Sequence, residues 1–366
     1  QLAEEGASSS NTGSIFDDNI LTLGFARRFA TYKRPNLLLH DPDRLIRLLS
    51  DPQRSVQLIL AGKAHPADLP GQALIEQWNH FLKRPEVRGR IVFLSDYDML
   101  LTQELVQGID LWINTPRRPW EACGTSGMKV LVNGGLNFSE LDGWWAEAYS
   151  PEVGWAIGDG KEHGEDPAWD AAEAEAMYTL LEQQVIPEFY ERDEKGMPSK
   201  WLGRVRESMA RLTPEFSATR AIREYTEGHY LAAASGYRER AAGDSKIGAS
   251  LLQWQQEVAQ RWNTVRFGKL DIGMHNGLHC FRVEVFAGGL KPEELRVELY
   301  ANPVEGGTPV PVTMTTCKAC AAPDGAQIYL AEVPAARPAS DYTARIIPFH
   351  PKASVPLETQ HILWQH

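Results

Sequence analysis

Cysteine is scarce in this chain of 366 residues: only Cys123, Cys280, Cys317 and Cys320 occur. Four are too few for a disulfide framework and suit a reducing, cytoplasmic setting. Basic charge is also in short supply, with 37 lysines and arginines against 48 acidic residues, a net charge of −11. An acidic surface argues against nucleic acid as the main partner, although a local basic site can still bind phosphate. No apolar run approaches the roughly 18 residues that a membrane-spanning helix needs, so no membrane partner is expected. No repeat of fixed period occurs. There is neither a GxxxxGK[ST] phosphate loop nor a Gly-x-Ser-x-Gly elbow. The chain starts at Gln1 without Met or a leader of basic then apolar residues, so we expect it to be cut from something longer.

What is present is the composition of a folded protein: 43% hydrophobic, 23% charged and 9% aromatic. At roughly 150 residues per domain, about two domains are expected. Residues 1–18, rich in Ser, Gly and Asn, are expected to form a flexible loop. From Asn19 to about Gly158, short apolar runs alternate with helix-spaced segments. Strand candidates are Ile20–Phe25, Ser55–Ala61, Arg90–Leu94 and Leu111–Asn114. Helices are expected over Leu37–Leu49, Gly71–Leu82 and Leu100–Gln107. That alternation predicts βαβ units and a parallel sheet, with ligands at the carboxyl ends of its strands. Asp170–Tyr190 and Ser199–Ala233 are helical in pattern, with kinks or breaks at Pro187 and Pro214. We therefore expect a lobe over 19–240 and a linker helix over 241–264. An all-β sandwich over 265–366 follows from short alternating runs separated by Gly, Pro and Asn turns.

The chemistry is densest in Glu121-Ala-Cys-Gly-Thr-Ser-Gly-Met-Lys129. Gly124–Gly127 is expected to open a helix after the Leu111–Asn114 strand, where uncrowded backbone N–H groups bind anions. Thr125 and Ser126 add hydroxyls, and Glu121 can accept hydrogen bonds from sugar hydroxyls. A second basic cluster, Arg27-Arg28-Phe-Ala-Thr-Tyr-Lys33-Arg34, follows the first strand. Arginine clamps oxyanions bidentately and lysine acts as a point charge. Taken alone, the first stretch is equally consistent with a Gly-rich turn, and the second reads more readily as a solvated helix start. Both, following strands of one sheet, favour a phosphate site.

These residues resemble the α-glucan (glycogen, starch and maltodextrin) phosphorylases. Glu121–Lys129, with Asn133-Gly134 and Leu141-Asp-Gly143, is similar to the family signature. Arg28-Phe-Ala-Thr-Tyr-Lys33 resembles its phosphate-site motif R-x-x-x-Y-K. Ala61-Gly-Lys-Ala-His-Pro66 and Arg90–Tyr97 resemble two further stretches, and Asp142–Glu147 with Gly154–Gly158 points to the shorter bacterial and archaeal branch. The resemblance covers roughly residues 19–235.

It implies an α/β fold: the Rossmann-like C-terminal lobe of a two-lobed glycosyltransferase of GT-B type, followed by the helical segment and the β-sandwich. It further implies pyridoxal 5'-phosphate held covalently on Lys129. Thr125, Ser126, Gly127 and Arg27 would take the cofactor phosphate, and Tyr97 would lie against the pyridine ring. Arg28 and Lys33 would hold inorganic phosphate, while Glu121, Ala122, Cys123 and Gly124 would line the glucosyl site. The implied reaction is phosphorolysis of α-1,4-glucan to glucose 1-phosphate with retention. Cys123 departs from the family's usual serine. The N-terminal lobe, which supplies the other wall of the cleft, is missing, so the chain alone is expected to be inactive. A homo-oligomer is left open.

Two other functions fit the same fold or composition. A nucleotide-sugar glycosyltransferase has no chemical need for Lys129. A non-catalytic carbohydrate-binding protein would rely on the β-rich part. Cys317-Lys-Ala-Cys320, with His275, His279 and Cys280 in the same domain, lacks the second CxxC or ordered His pair of a zinc site and is expected to be two small buried or loop cysteines. Trp144-Trp145 is expected in the core rather than as a sugar platform.

Overall fold

The computed structural model describes residues 16–303, 307–309, 311–317, 319–320, 322 and 325–365. The chain divides into two compact units, one up to Arg223 and one from Glu224.

The first unit carries strands β1 (Leu21–Ala26), β2 (Val56–Ala61), β3 (Ile91–Leu94), β4 (Leu111–Asn114), β5 (Leu136–Glu140) and β6 (Gly154–Ile157). All pair in parallel, in the order β3-β2-β1-β4-β5-β6. This is the doubly wound order, with its switch point between β1 and β4. Helices α1 (Pro42–Ser50), α2 (Leu69–Phe81), α3 (Met99–Gly108), α4 (Thr125–Leu131), α5 (Gly143–Ala148) and α6 (Pro167–Leu180) connect or follow the strands. Leu111 and Ile113 join one hydrophobic cluster with Leu45, Trp78 and Met177 from α1, α2 and α6. Trp112, between them, joins Leu105 and Val130 from α3 and α4 in another. Side chains alternate across a strand, so both faces of the sheet are covered, as continuous apolar runs such as Val56–Ala61 demand.

The helix starts are written in the sequence. Asp41, Asp68, Asp98 and Asp166 each accept a backbone N–H from the first turn of α1, α2, α3 and α6. Such caps satisfy donors that have no partner within the helix. A π-turn, Leu181–Val185, joins α6 to α7 (Ile186–Tyr190), and Pro187 follows it. Then come α8 (Ser199–Glu215), which contains Pro214, and α9 (Ala218–Tyr225).

In the second unit, α10 (Leu231–Arg261) breaks at Ala242–Ser245, where Gly243, Asp244 and Ser245 take left-handed backbone angles. Two four-stranded sheets follow. One is β11-β12-β8-β7, with β7 at Arg266–His275, β8 at Leu278–Phe286, β11 at Thr315–Thr316 and β12 at Ala326–Pro334. The other is β10-β9-β13-β14, with β9 at Leu295–Ala301, β10 at Val312–Thr313, β13 at Tyr342–Pro348 and β14 at Leu363–Trp364. All their pairings are antiparallel. Val283, Val297, Val333 and Ile346 share one core with Leu251, Trp254 and Val258 of α10.

Four expectations change. The helix expected as a linker over 241–264 is part of the second unit, because its apolar stripe is buried in that core. The unit division also lies upstream of residue 240, since Glu239 and Arg240 are ion-paired to Lys352 and Glu358. Of the loop expected over 1–18, residues 1–15 lie outside the described residues. Phe16 packs on the core and the Asp17 amide donates to Gln57 at 3.1 Å, so residues 16–18 are anchored. Cys317 and Cys320, expected as small buried or loop cysteines, are joined as a disulfide, while Cys123 and Cys280 are free. Among the described residues no helix is long and apolar enough to cross a membrane, and no group of three His, Cys, Asp or Glu is placed to hold a metal.

Candidate functional site

The predicted residues lie where β1, β3 and β4 run out, at and beside the switch point. Arg27 directly follows β1. Its guanidinium is buried and donates to Asn114, the last residue of β4, and to Glu121 Oε2 at 2.6 Å. Lys33 closes a 3-10 turn, Thr31–Lys33, and its Nζ stands 3.1 Å from the same oxygen. Two buried cations therefore share one carboxylate. Glu121 is held in place by its own amide, which donates to Asp142 Oδ2 at 2.9 Å. Burial pulls the Arg27 guanidinium below its ordinary range, against the opposing pull of Glu121. Its Nε is buried with no hydrogen-bond partner among the described residues.

Lys33 and Glu121, expected on phosphate and on sugar respectively, are thus paired with each other. Arg28 is exposed and Tyr97, beyond β3, is half-buried against the hydrophobic cluster that includes Val92, Leu94 and Leu105. Ala122 and Thr125 are exposed, Cys123 and Ser126 half-buried. Burial, then Glu147 and Glu121, push the Cys123 thiol up. Gly124 takes a left-handed φ of 86°, which favours glycine, and precedes α4. Gly127 is glycine for a packing reason. A Cβ there would sit 2.4 Å from Asn137 Oδ1 and 3.0 Å from the Trp144 ring. Ser126 Oγ accepts from the Trp112 indole at 3.3 Å. Lys129 is exposed on α4 and makes no ion pair among the described residues. Trp144 and Trp145 are buried in the core.

A second cluster, invisible to motif reading, lies beside the first. Arg34, in the left-handed region at φ 43°, donates to the carbonyls of Thr115 and Pro116 at 3.0 and 2.9 Å. Its guanidinium also meets Glu140 at 3.2 Å, Asp170 at 2.8 Å and Glu173. Arg117 pairs with Asp170 at 2.7 Å. Two arginines thus face three carboxylates. Burial and the neighbouring Glu173 push Glu140 up to about 9, against the pull of Arg34. Asp170 is held below the usual carboxylate range: burial acts to raise it, and its bonds to Arg117 and Arg34 prevail. Its sequence signals are slight: Arg34 closes the basic run, and Glu140 is a charged residue at the end of an apolar stretch.

Comparison with known proteins points to one family. A family model described as carbohydrate phosphorylase matches residues 5–154, and one described as glycogen phosphorylase C-terminal domain matches 262–366. The chain belongs to the α-glucan phosphorylase family. A glycogen phosphorylase of Mycobacterium tuberculosis is 41% identical over 361 residues, covering 95% of this chain and 42% of that protein. One from Aquifex aeolicus is 48% identical over 218 residues, covering 60% of this chain and 31% of its own length. A maltodextrin phosphorylase of Thermococcus litoralis is 37% identical over 284 residues, covering 78% of this chain and 33% of that protein. The chain therefore spans less than half the length of each of these curated relatives.

Proposed function

We propose that this chain is the cofactor-bearing half of an α-glucan phosphorylase of the shorter bacterial and archaeal branch. The enzyme would move a glucosyl unit from α-1,4-glucan to inorganic phosphate, releasing glucose 1-phosphate with retention, in the cytoplasm. The first unit would be the C-terminal lobe of a GT-B glycosyltransferase and the second a β-sandwich. One observation carries the reading: Arg27 and Lys33 share a single carboxylate at the switch point, leaving positive charge for an anion to satisfy.

The residues fit pyridoxal phosphate. Arg27 has an unpartnered buried Nε, Thr125 and Ser126 offer hydroxyls, and the Lys129 amine is uncommitted among the described residues. Arg27, Thr125, Ser126 and Gly127 would hold the phosphate, Lys129 the covalent bond, and Tyr97 the ring. When bound, the group supplies a phosphate whose second pKa of about 6 suits proton transfer at neutral pH. Arg28 and Lys33 would hold inorganic phosphate, and adjacent cations offset the repulsion of two phosphates. Glu121 would orient the glucosyl unit, with Ala122, Cys123 and Gly124 beside it. The N-terminal lobe of the same enzyme would complete the cleft, so the chain alone should release no glucose 1-phosphate from glucan.

The test is incubation with pyridoxal phosphate, borohydride reduction and peptide mapping. One reduced adduct on Lys129, lost in Lys129→Ala, is the expected result. Labelling scattered over surface lysines, in this chain and in its full-length parent alike, would overturn the assignment.

A further inference from the structure

Asn114, the last residue of β4, is a polar side chain sealed inside the sheet, 6% exposed. In a strand covered on both faces such a group persists where its donor and its acceptor are both met, and here they are. Its register partner in β5 is Ser139, itself buried. Ser139 Oγ donates to the Glu140 carbonyl at 3.0 Å, which commits its one proton. The hydroxyl is left to accept from Asn114 Nδ2, also at 3.0 Å. That settles which way the amide faces: Oδ1 is turned to the Arg27 guanidinium and accepts from its Nη1.

That the side chain is an amide matters for charge. Arg27 Nη2 bonds Glu121 at 2.6 Å and Lys33 Nζ stands 3.1 Å from the same oxygen, so two cations have one carboxylate between them. Asn114 bonds Arg27 without adding a second carboxylate. An aspartate there would neutralise the pair, and it would meet a Ser139 hydroxyl whose proton is already committed. With two of its nitrogens held, the guanidinium is fixed in one plane. Its Nε stays buried with no hydrogen-bond partner among the described residues. A buried N–H without an acceptor is a standing cost that a ligand oxygen would relieve, and a fork already held in place loses little freedom when that oxygen arrives.

We propose that Asn114 is a positioning residue: it holds Arg27 by a neutral acceptor, so that the guanidinium keeps both its orientation and its charge for a ligand oxyanion. Ser139 acts through Asn114 by setting the direction of the amide. Neither side chain needs to touch the ligand. That the oxyanion is the phosphate of pyridoxal phosphate rests on the proposed function; the relay from Ser139 through Asn114 to Arg27 does not. An amide that merely tied the ends of β4 and β5 together would affect a ligand with a phosphate and one without it alike.

The test compares two aldehydes, pyridoxal phosphate and pyridoxal, which lacks the phosphate. Each is trapped on Lys129 by borohydride and read by peptide mapping, in the whole chain and in its full-length parent. We expect the unaltered protein to be half-labelled by pyridoxal phosphate at a concentration about tenfold or more below that of pyridoxal. Asn114→Asp should raise the pyridoxal phosphate value by about tenfold or more and leave the pyridoxal value within about twofold. Ser139→Ala, a smaller change that frees the amide to turn, should raise the first value by about threefold and leave the second. If Asn114→Asp does not fold, Ser139→Ala decides. Damage to the fold weakens both aldehydes together, so equal shifts for the two overturn the proposal, as does no shift for either. Lys129 labelled equally well by both aldehydes in the unaltered protein removes the role of Asn114 and leaves the cofactor lysine assigned. Lys129 labelled by neither, in this chain and in its full-length parent alike, removes the proposed function and this inference with it.

Discussion

Glu140 sets a pH dependence that can be worked out in advance. Two arginines, Arg34 and Arg117, meet three carboxylates in a buried cluster. Burial and the neighbouring Glu173 push Glu140 up to about 9, so this cluster holds its extra proton there. The unfolded chain should titrate it near its ordinary 4.5. Between those two values the folded state carries one proton more than the unfolded state. Stability from this group is therefore complete below about pH 4.5 and lost as pH rises towards 9. The slope is one proton, about 1.4 kcal/mol per pH unit. From pH 6 to pH 8 the first unit should lose on the order of 3 kcal/mol. At about 2–4 °C per kcal/mol for a unit of this size, its Tm should fall by roughly 5–10 °C. Glu140→Gln keeps the shape and a donor towards Glu173, and leaves two arginines with two carboxylates. Its urea unfolding free energy, measured at pH 6, 7 and 8, should lack this slope, so the gap from the parent widens steadily with pH in the variant's favour. Parallel pH curves for parent and variant would refute the charge accounting.

Other perturbations follow from the same geometry. Glu121→Gln leaves Arg27 and Lys33 buried without their shared counter-charge, which should cost about 3–5 kcal/mol at low salt. Added inorganic phosphate should raise the Tm of that variant more than that of the parent, by occupying the vacated charge. Gly127→Ala pushes a methyl towards Asn137 Oδ1 and Trp144, and thermal melts should show a loss of about 1–3 kcal/mol. Lys129→Ala, at an exposed position, should change unfolding free energy by less than about 0.5 kcal/mol while abolishing the trapped adduct.

Much of the first unit was legible in sequence because each signal had a local cause. Apolar runs such as Val56–Ala61 must be covered on both faces, and Asp before the helices caps them. Strands β5 and β6 were missed as strands because buried Asn137, Ser139 and Glu140 interrupt the apolar pattern of β5, while β6 spans only Gly154–Ile157. Strand β7 was missed for the opposite reason: it is largely exposed and carries Gly268 and Gly273. The motif residues were found because Gly, Ser, Thr and Lys crowd into one run, Gly124–Lys129. The Arg34 cluster left no such trace. Its members come from four separate stretches, and only the folded chain brings them together.

The adjacent residues Lys33 and Arg34 show why pattern alone could not sort the site. Both are basic, both are buried, and they serve different carboxylates. Lys33 turns to Glu121, whereas Arg34 turns to Glu140, Asp170 and Glu173. The divergence has a backbone cause. Arg34 sits in the left-handed region immediately after the 3-10 turn that ends at Lys33, and the Thr115 hydroxyl donates to both their carbonyls. A non-glycine residue pays for that backbone angle with strain, and Arg34 recovers it through five acceptors from two carbonyls and three carboxylates. The acid-rich cluster thereby fixes the loop that presents Lys33. Lys33 is thereby kept beside Glu121 and Arg27, without the loop collapsing onto another carboxylate.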